Sequence, residues 1–338
     1  MKISKLPVII LLIILISWSC NNTSHNQSAG NNETPKQVEQ LKVPPFDSDS
    51  AYRYVKEQVD LGPRVNNTAA HEKCAGFLIN KLKEYCPDVI VQKGQVKAFN
   101  GKILDFKNII ASFNPTTNDR IFICSHWDSR PFADNDPDVK KHRTPILGAN
   151  DGASGVGILL EIARQLSISK PSIGVDLILL DAEDYGAPED MPRDEHSEDW
   201  WGLGSQYWAN HPHKANYFAK YGILLDMVGA SNATFLQERF SLEYAPAIVR
   251  KVWDIAGELG YSAYFPFDTG GYITDDHTFI NKIMNIPTID IIHLVKDATG
   301  NSGFYPYWHT TKDDMNSIDK TTLGAVGKTL MAVIANEK

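Results

Sequence analysis

A three-layer α/β/α sandwich is the fold class that the sequence predicts, with a mixed, mostly parallel central sheet and an antiparallel hairpin at one edge. Two observations support it. Uninterrupted apolar runs, such as residues 177–180, are typical of strands that are buried on both faces. Such runs alternate along the chain with stretches of helical periodicity, an order that places helices on both sides of a parallel sheet. We therefore expect one large domain, over residues 46–338.

The elements follow from apolar periodicity, caps and turn signals. Strands are predicted at residues 89–99, 103–113, 121–124, 177–180, 223–228 and 287–295. Helices are predicted at residues 48–59, 69–85, 152–166, 206–210, 246–259, 275–283 and 317–335. Asp47 is a candidate N-cap for the first helix, and Asn100-Gly101 is a strong hairpin signal between the first two strands. Residues 185–202 form a long charged loop with Trp200 and Trp201, and loops of this length are usually functional or mobile.

The composition is that of an ordinary globular protein, with 43% hydrophobic and 22% charged residues among 338. The formal net charge of −8 argues against nucleic acid and anionic membrane surfaces as partners, since both are bound through basic patches. Neither class of partner is therefore expected.

The first residues have the pattern of an export signal. Lys2 and Lys5 precede an apolar stretch over residues 6–16, which has the length of a signal-peptide core and is short for a membrane span. We predict a signal peptide over residues 1–19 and export of the rest of the chain.

The end of this leader resembles the bacterial lipobox, in which a small residue precedes a cysteine that becomes acylated. Ser19 precedes Cys20 here, although Ser17 stands where Leu is usual. An ordinary cleaved secretory leader is the alternative. Residues 20–45 are mostly polar and are predicted to be a disordered tether. We expect an exported bacterial lipoprotein on the periplasmic or cell-surface side, held at the membrane only through a lipid anchor on Cys20.

Polar residues stand where the predicted strands end, which is where open α/β sheets bind ligands. The candidates are His126 after strand 121–124, Asp151 before the helix at 152, Glu183 and Asp184 after strand 177–180, Asp226 after residues 223–225, and, late in the chain, Asp275 and His309. Carboxylates and imidazoles contributed singly from several strand ends are typical of a catalytic zinc site, which has three protein ligands and one open position.

Each candidate has an ordinary structural alternative when it is taken alone. Asp151 is placed to cap the helix that follows it, Asp226 to end a turn, and His126 to be a hydrogen-bonded buried histidine. All of these alternatives would have to hold together, in chain order and at successive strand ends, for no site to exist. We therefore predict a metal site.

The ordered set of candidates resembles the zinc aminopeptidase family, and several short motifs narrow the resemblance to the zinc-dependent glutaminyl cyclases, animal and bacterial. These motifs are Ser-His-Trp-Asp-Ser-Arg at residues 125–130, Leu-Asp at 225–226, Asp-Asp-His at 275–277 and Trp-His-Thr at 308–310. The resemblance covers residues 50–338 and implies a single zinc-dependent catalytic domain.

The resemblance implies one zinc ion, held by Asp151, Asp184 and His309. It implies that Glu183, the first of two adjacent acids, carries the proton during the reaction. The sequence has Asp at position 184 where the animal enzymes have Glu. Both residue types ligate zinc, but the shorter side chain requires a different backbone approach.

The resemblance further implies that Asp226 and Asp275 form an acidic hydrogen-bonding pair and that Trp308 is a wall of the substrate pocket. The activity it implies is that of a glutaminyl-peptide cyclotransferase, which converts the N-terminal Gln of peptides or proteins to pyroglutamate and releases ammonia. We expect such peptides or proteins as partners, and a monomeric enzyme.

A two-zinc aminopeptidase is the main alternative, because the same residues supply its ligands. Asp151 would then bridge two metal ions, His126 and Asp226 would hold the second, and Glu183 would activate a water molecule. We favour the cyclase because Trp308 directly precedes the histidine ligand and because of the Asp-Asp-His segment. A non-catalytic binding protein on an inactive hydrolase scaffold is a third alternative, which the intact set of ligands and base disfavours.

Overall fold

The structure is a computed structural model, which describes residues 40–192 and 197–337. The predicted signal peptide and most of the predicted tether lie outside these residues. The compact unit begins at Leu41, earlier than the predicted residue 46. Leu41 packs against the main hydrophobic core, and the backbone N–H of Lys42 donates to Asn336 Oδ1 at 3.0 Å. In the described ranges, no helix is long and apolar enough to cross a bilayer.

The central sheet has six strands within the described part of the chain, in the order β1-β2-β4-β3-β5-β6. Its strands are β1 (Val89–Lys97), β2 (Ile103–Phe113), β3 (Arg120–His126), β4 (Gly174–Leu180), β5 (Gly222–Asp226) and β6 (Thr288–Ile292). Strands β3 to β6 run parallel, whereas β1 and β2 form an antiparallel hairpin at one edge. This confirms the predicted mixed sheet, and it brings the carboxyl ends of four strands to one edge.

Helices cover both faces of this sheet. They are α1 (Ser48–Val59), α2 (Ala69–Tyr85), α3 (Ala153–Ile168), α4 (Leu203–Asn210), α5 (Arg239–Tyr244), α6 (Pro246–Glu258), α7 (Asp276–Met284) and α8 (Lys320–Ala335). The Asp47 side chain caps α1, as predicted. The short helix α5 was not predicted, since its six residues carry less than two turns of apolar periodicity.

Strand β4 shows why its apolar run is unbroken. Leu177 and Leu179 join the core formed with α1, α2, α3, α6 and α8, while Ile178 and Leu180 join the separate core formed with α4 and α7. Successive side chains of a strand point to opposite faces, so a strand covered on both sides needs apolar residues at every position. The predicted three-layer arrangement is confirmed.

The predicted strand over residues 287–295 is wrong as a single element. Strand β6 of the main sheet ends at Ile292. The chain continues as β7 (Leu294–Lys296), which pairs with β8 (Ser302–Phe304) in a small antiparallel sheet. The apolar run is continuous across this break, so periodicity alone does not show it. The small sheet matters because it carries one wall of the pocket described below.

Candidate active site

The carboxyl ends of the parallel strands bring the predicted metal ligands together. One carboxylate oxygen each from Asp151 and Asp184 and one ring nitrogen of His309 all lie within 4.8 Å of one another. Asp184 follows β4, Asp151 precedes α3, and His309 lies in the loop between β8 and α8. All three side chains are buried. Residues far apart in the chain thus converge on a single point.

The chemistry of these three residues fits a zinc ion. Both carboxylate oxygens of Asp184 are buried and accept no hydrogen bond from any described residue, and the Arg130 guanidinium lies 3.5 Å from one of them without donating to it. Burial and the neighbouring Asp151 carboxylate raise the pKa of Asp184 well above its usual value. An ionised buried carboxylate without a donor is costly, and a cation removes that cost. Two carboxylates and one imidazole are a donor set of catalytic zinc sites.

A second group of potential ligands shares Asp151 with the first. His126 Nε2 lies 3.1 Å from an Asp151 oxygen and 3.2 Å from an Asp226 oxygen. Although burial alone would lower it, the carboxylates of Asp128, Asp151 and Asp226 hold the pKa of His126 well above its usual value. One ligand atom each from His126, Asp151 and Asp226 lie within 4.8 Å of one another, so the geometry accommodates both of the activities considered from the sequence.

Asp151 is not the cap of the helix that follows it. The N-cap of α3 is Gly152, which has no side-chain hydrogen bond, and the Asp151 carboxylate faces the histidines instead. Gly152 has a φ of +85°, and a Cβ at this position would lie 2.9 Å from the His126 ring. Only glycine therefore lets the chain pass so close to the site.

Asp313 holds Asp151 in place through its backbone. The two Asp313 oxygens accept the N–H groups of Asn150 at 2.8 Å and of Asp151 at 3.0 Å. Sequence reasoning missed Asp313, which lies after the last recognised motif and has no local signal of this role.

Asp128 holds the next part of the site. Its two carboxylate oxygens accept the backbone N–H groups of Glu183 and Asp184, both at 3.1 Å. The preceding Ala182 has a φ of +55°, a conformation rare for alanine that bends the chain directly after β4. Asp128 belongs to one of the recognised motifs, but the sequence did not reveal that it fixes the turn of the two acids.

Asp134 lies beside the second ring nitrogen of the histidine ligand. His309 Nδ1 is 3.5 Å from Asp134 Oδ1, beyond a hydrogen bond, and Arg130 donates to both Asp134 oxygens, at 2.8 and 2.5 Å. Histidines that bind metals almost always have a hydrogen-bond partner on the other ring nitrogen, and Asp134 is the carboxylate placed to become that partner. His309 Nε2 faces Asp151 and Asp184, at 3.7 and 3.4 Å.

An aromatic pocket of about 220 Å³ opens onto the three ligands. The Trp308 ring stacks on His309 at 3.8 Å and on Phe304 of β8 at 4.0 Å. The Trp201 ring also lies nearly parallel to the His309 ring, with ring centroids 6.0 Å apart. The predicted pocket residue Trp308 does line the pocket, and so does Trp201 of the long loop, whereas Trp200 packs near Phe99, at 6.0 Å, and does not.

Five further carboxylates line the pocket beside the metal ligands: Glu183, Glu189, Glu198, Asp226 and Asp275. Burial raises the pKa of Asp226 to about 6. Burial and the Asp226 carboxylate raise the pKa of Asp275 to about 7. Burial and the Asp275 carboxylate raise the pKa of Glu183 well above its usual value. Asp226 and Asp275 are therefore placed to hold and exchange protons near neutral pH.

Comparisons with known proteins agree with this geometry. A crystal structure of a Bacteroides thetaiotaomicron glutaminyl cyclase bound to N-acetylhistamine is 52% identical, with a TM-score of 0.84, and the match covers 88% of this chain and 100% of that one. A crystal structure of a Zn-dependent exopeptidase from Parabacteroides distasonis is 51% identical, with the same TM-score and coverage.

A curated relative is more distant. The glutaminyl-peptide cyclotransferase of Bos taurus is 26% identical over 264 residues, which are 68% of this chain and 65% of that protein. The chain thus spans slightly less than two thirds of that relative's length. The model of the family described as "Peptidase family M28" matches residues 108–334, which include every predicted metal ligand. The chain therefore belongs to peptidase family M28.

Proposed function

We propose that the protein is a zinc-dependent glutaminyl-peptide cyclotransferase, which converts an N-terminal Gln to pyroglutamate. The observation that carries the proposal is Glu183, which lies in a pocket walled by Trp308 and directly precedes a ligand of the buried metal triad. The glutaminyl cyclases among the similar proteins support the same activity.

The reaction needs little from the protein besides binding and proton transfer. The α-amine nitrogen of the substrate forms a bond to the side-chain amide carbon, and the bond from that carbon to the amide nitrogen breaks, which releases ammonia. Attack within one residue already provides proximity. Zinc held by Asp151, Asp184 and His309 would supply Lewis acidity toward the amide oxygen.

Glu183 is the residue placed to move the proton. It takes a proton from the attacking amine and returns one to the leaving nitrogen, so no net proton is consumed by the protein. Asp226 and Asp275 lie on the same side of the pocket, where they bind the amine and hold Glu183 among neighbouring acids. The aromatic wall limits access of water, which competes with the amine as a nucleophile.

An aminopeptidase is the second candidate, because His126 and Asp226 complete a second group of ligands that shares Asp151. The similar structure described as a Zn-dependent exopeptidase also supports this second candidate. The two activities give different products from one substrate. A cyclase shortens no peptide and releases ammonia, whereas an aminopeptidase releases free glutamine.

The test is to incubate the purified protein with a Gln-initiated peptide and to follow the product by mass spectrometry. We expect a peptide that has lost ammonia, and one zinc ion per chain by elemental analysis. Release of glutamine by a protein that holds two zinc ions would contradict the proposal and identify the peptidase.

Replacing Trp308 with Ala tests the aromatic wall. We expect KM for a Gln-peptide to rise about 10-fold with a smaller change in kcat, since a stacked aromatic contact contributes roughly 0.5–1.5 kcal/mol beyond its buried area. Trp308→Phe keeps an aromatic face and retains most of the affinity. Trp200→Ala is the matched control, because Trp200 does not line the pocket; an equal rise in KM there would count against a specific role for Trp308.

We also infer that the enzyme is exported and anchored through a lipid on Cys20. The support is the leader, in which basic residues, an apolar stretch and a small residue precede that cysteine. In a bacterial host, wild-type protein is expected in the membrane fraction and Cys20→Ala protein in the soluble fraction after cell disruption. Equal partition of both into the soluble fraction would contradict the anchor.

A further inference from the structure

Asp181, the first acid of the cluster after β4, has a different environment from its neighbours. Its side chain is fully buried and does not line the pocket. Its oxygens accept the backbone N–H groups of Lys107 at 2.6 Å and of Ala182 at 2.8 Å, and the side-chain amide of Asn66 at 2.9 Å. Such a set of donors holds the carboxylate, and the chain around it, in a single position.

His71, in the first turn of α2, supplies a further contact. Its Nε2 lies 3.0 Å from both Asp181 oxygens, and its side chain is fully buried. The imidazole stacks on the Trp127 indole, with ring centroids 4.4 Å apart and planes within 20°. Trp127 follows the active-site residue His126, and its own Nε1 donates to the Lys107 carbonyl at 3.0 Å. The His71 side chain therefore contacts Asp181, which follows β4, and Trp127, which follows β3.

These contacts bear on the turn that presents the metal ligand and the proton carrier. Asp181 begins the turn, and Asp128 binds the backbone of its last two residues, Glu183 and Asp184. Between them, Ala182 is held at a φ of +55°. A non-glycine residue keeps such a conformation only when its surroundings enforce it. The Asp128 contact acts on one end of the turn, and the Asp181 contacts act on the other.

We propose that His71 and Asp181 form a positioning pair, which sets the turn so that Glu183 reaches the substrate and Asp184 reaches the metal. The role of Glu183 in this statement rests on the proposed cyclase activity, whereas the role of Asp184 rests on the ligand geometry. The pair touches neither substrate nor metal. It acts through the backbone, and it connects α2, a helix outside the pocket, to the reacting groups.

The ordinary alternative is a buried hydrogen-bonded pair that only stabilises the fold. The chain offers a matched control for this on the same strand. Asp176, in β4, accepts two hydrogen bonds from Arg120, at 2.7 and 2.8 Å, near the end of the sheet away from the pocket. Loss of either pair costs stability, but only loss of the His71 contact displaces the turn.

The experiment compares His71→Leu, His71→Gln and Asp176→Asn in the full-length protein. For His71→Leu we expect kcat on a Gln-peptide to fall about 10- to 100-fold with little change in KM, and the zinc dissociation constant to rise by a similar factor, as for other outer contacts of metal sites. His71→Gln restores most of both, because its amide nitrogen occupies nearly the place of Nε2. Asp176→Asn lowers the midpoint of thermal unfolding and leaves both values unchanged.

Wild-type kcat and zinc affinity in folded His71→Leu would overturn the proposal, as would an equal loss of both in Asp176→Asn. Should His71→Leu fail to fold, Asp181→Asn weakens the His71 contact from the other partner, and unchanged zinc affinity in it would overturn the proposal. Zinc affinity, measured by competition with a chromogenic chelator, does not depend on the cyclase assignment. A wild-type protein without cyclase activity would thus refute the proposed function while the zinc measurements still decide the role of the pair.

Discussion

Replacing Glu183 with Gln is expected to lower kcat for cyclisation by about 10²–10⁴-fold, the usual contribution of a general acid–base group. The amide has the size and shape of the carboxylate but neither accepts nor returns a proton. Glu183 is not among the grouped metal ligands, so the variant is expected to keep its zinc. The measurements are the steady-state rate of ammonia release and the zinc content of the same sample.

Glu161→Gln is the matched control for this variant. Glu161 is another buried glutamate, in α3, where it accepts the Asp47 backbone N–H at 3.0 Å and does not line the pocket. Its loss is expected to reduce stability and leave kcat unchanged. Near-wild-type turnover by zinc-loaded Glu183→Gln would show that Glu183 does not transfer the proton.

Replacing Asp184 with Asn is expected to abolish turnover, because it removes one of the three zinc ligands without changing the shape of the side chain. The Asp184 side chain accepts no hydrogen bond from the described residues and loses only its 3.5 Å ion pair with Arg130, so the variant is expected to unfold only slightly more readily than zinc-free wild type. The result expected by elemental analysis is zinc content near zero in samples purified alongside zinc-loaded wild type.

Chelation separates loss of the metal from loss of the fold. Wild-type protein stripped by a chelator is expected to regain activity when zinc is added back, while Asp184→Asn is not. Full activity of stripped wild type, or full zinc content in Asp184→Asn, would show that the reaction does not depend on the triad of Asp151, Asp184 and His309.

Local sequence signals predicted most of the secondary structure. The helix at 69–85 and the strand at 103–113 have the predicted bounds in the structure, because apolar periodicity, caps and the Asn-Gly turn are local features. The main exceptions are α5, β8 and the break between β6 and β7. At the break, the pairing of β7 with β8 decides the path of a segment whose own apolar run is continuous.

The sequence alone established the fold class, the edge of the sheet at which polar residues gather, and the family likeness. These follow from patterns of apolar residues and from the order of acids and histidines along the chain. Alternating strands and helices predict a parallel sheet whose strands end at one edge, so residues such as His126 and Asp226 were expected at the same edge.

Only the tertiary structure decided which of these residues lie in contact and which hydrogen bonds hold them in place. Asp151 was equally compatible with a helix cap until the structure placed its carboxylate beside His126 and His309. Asp128 reaches Glu183, 55 residues later, and Asp313 reaches Asp151, 162 residues earlier. A carboxylate that binds a distant backbone N–H leaves no pattern in its own neighbourhood, because the contact is created by the packing of whole elements.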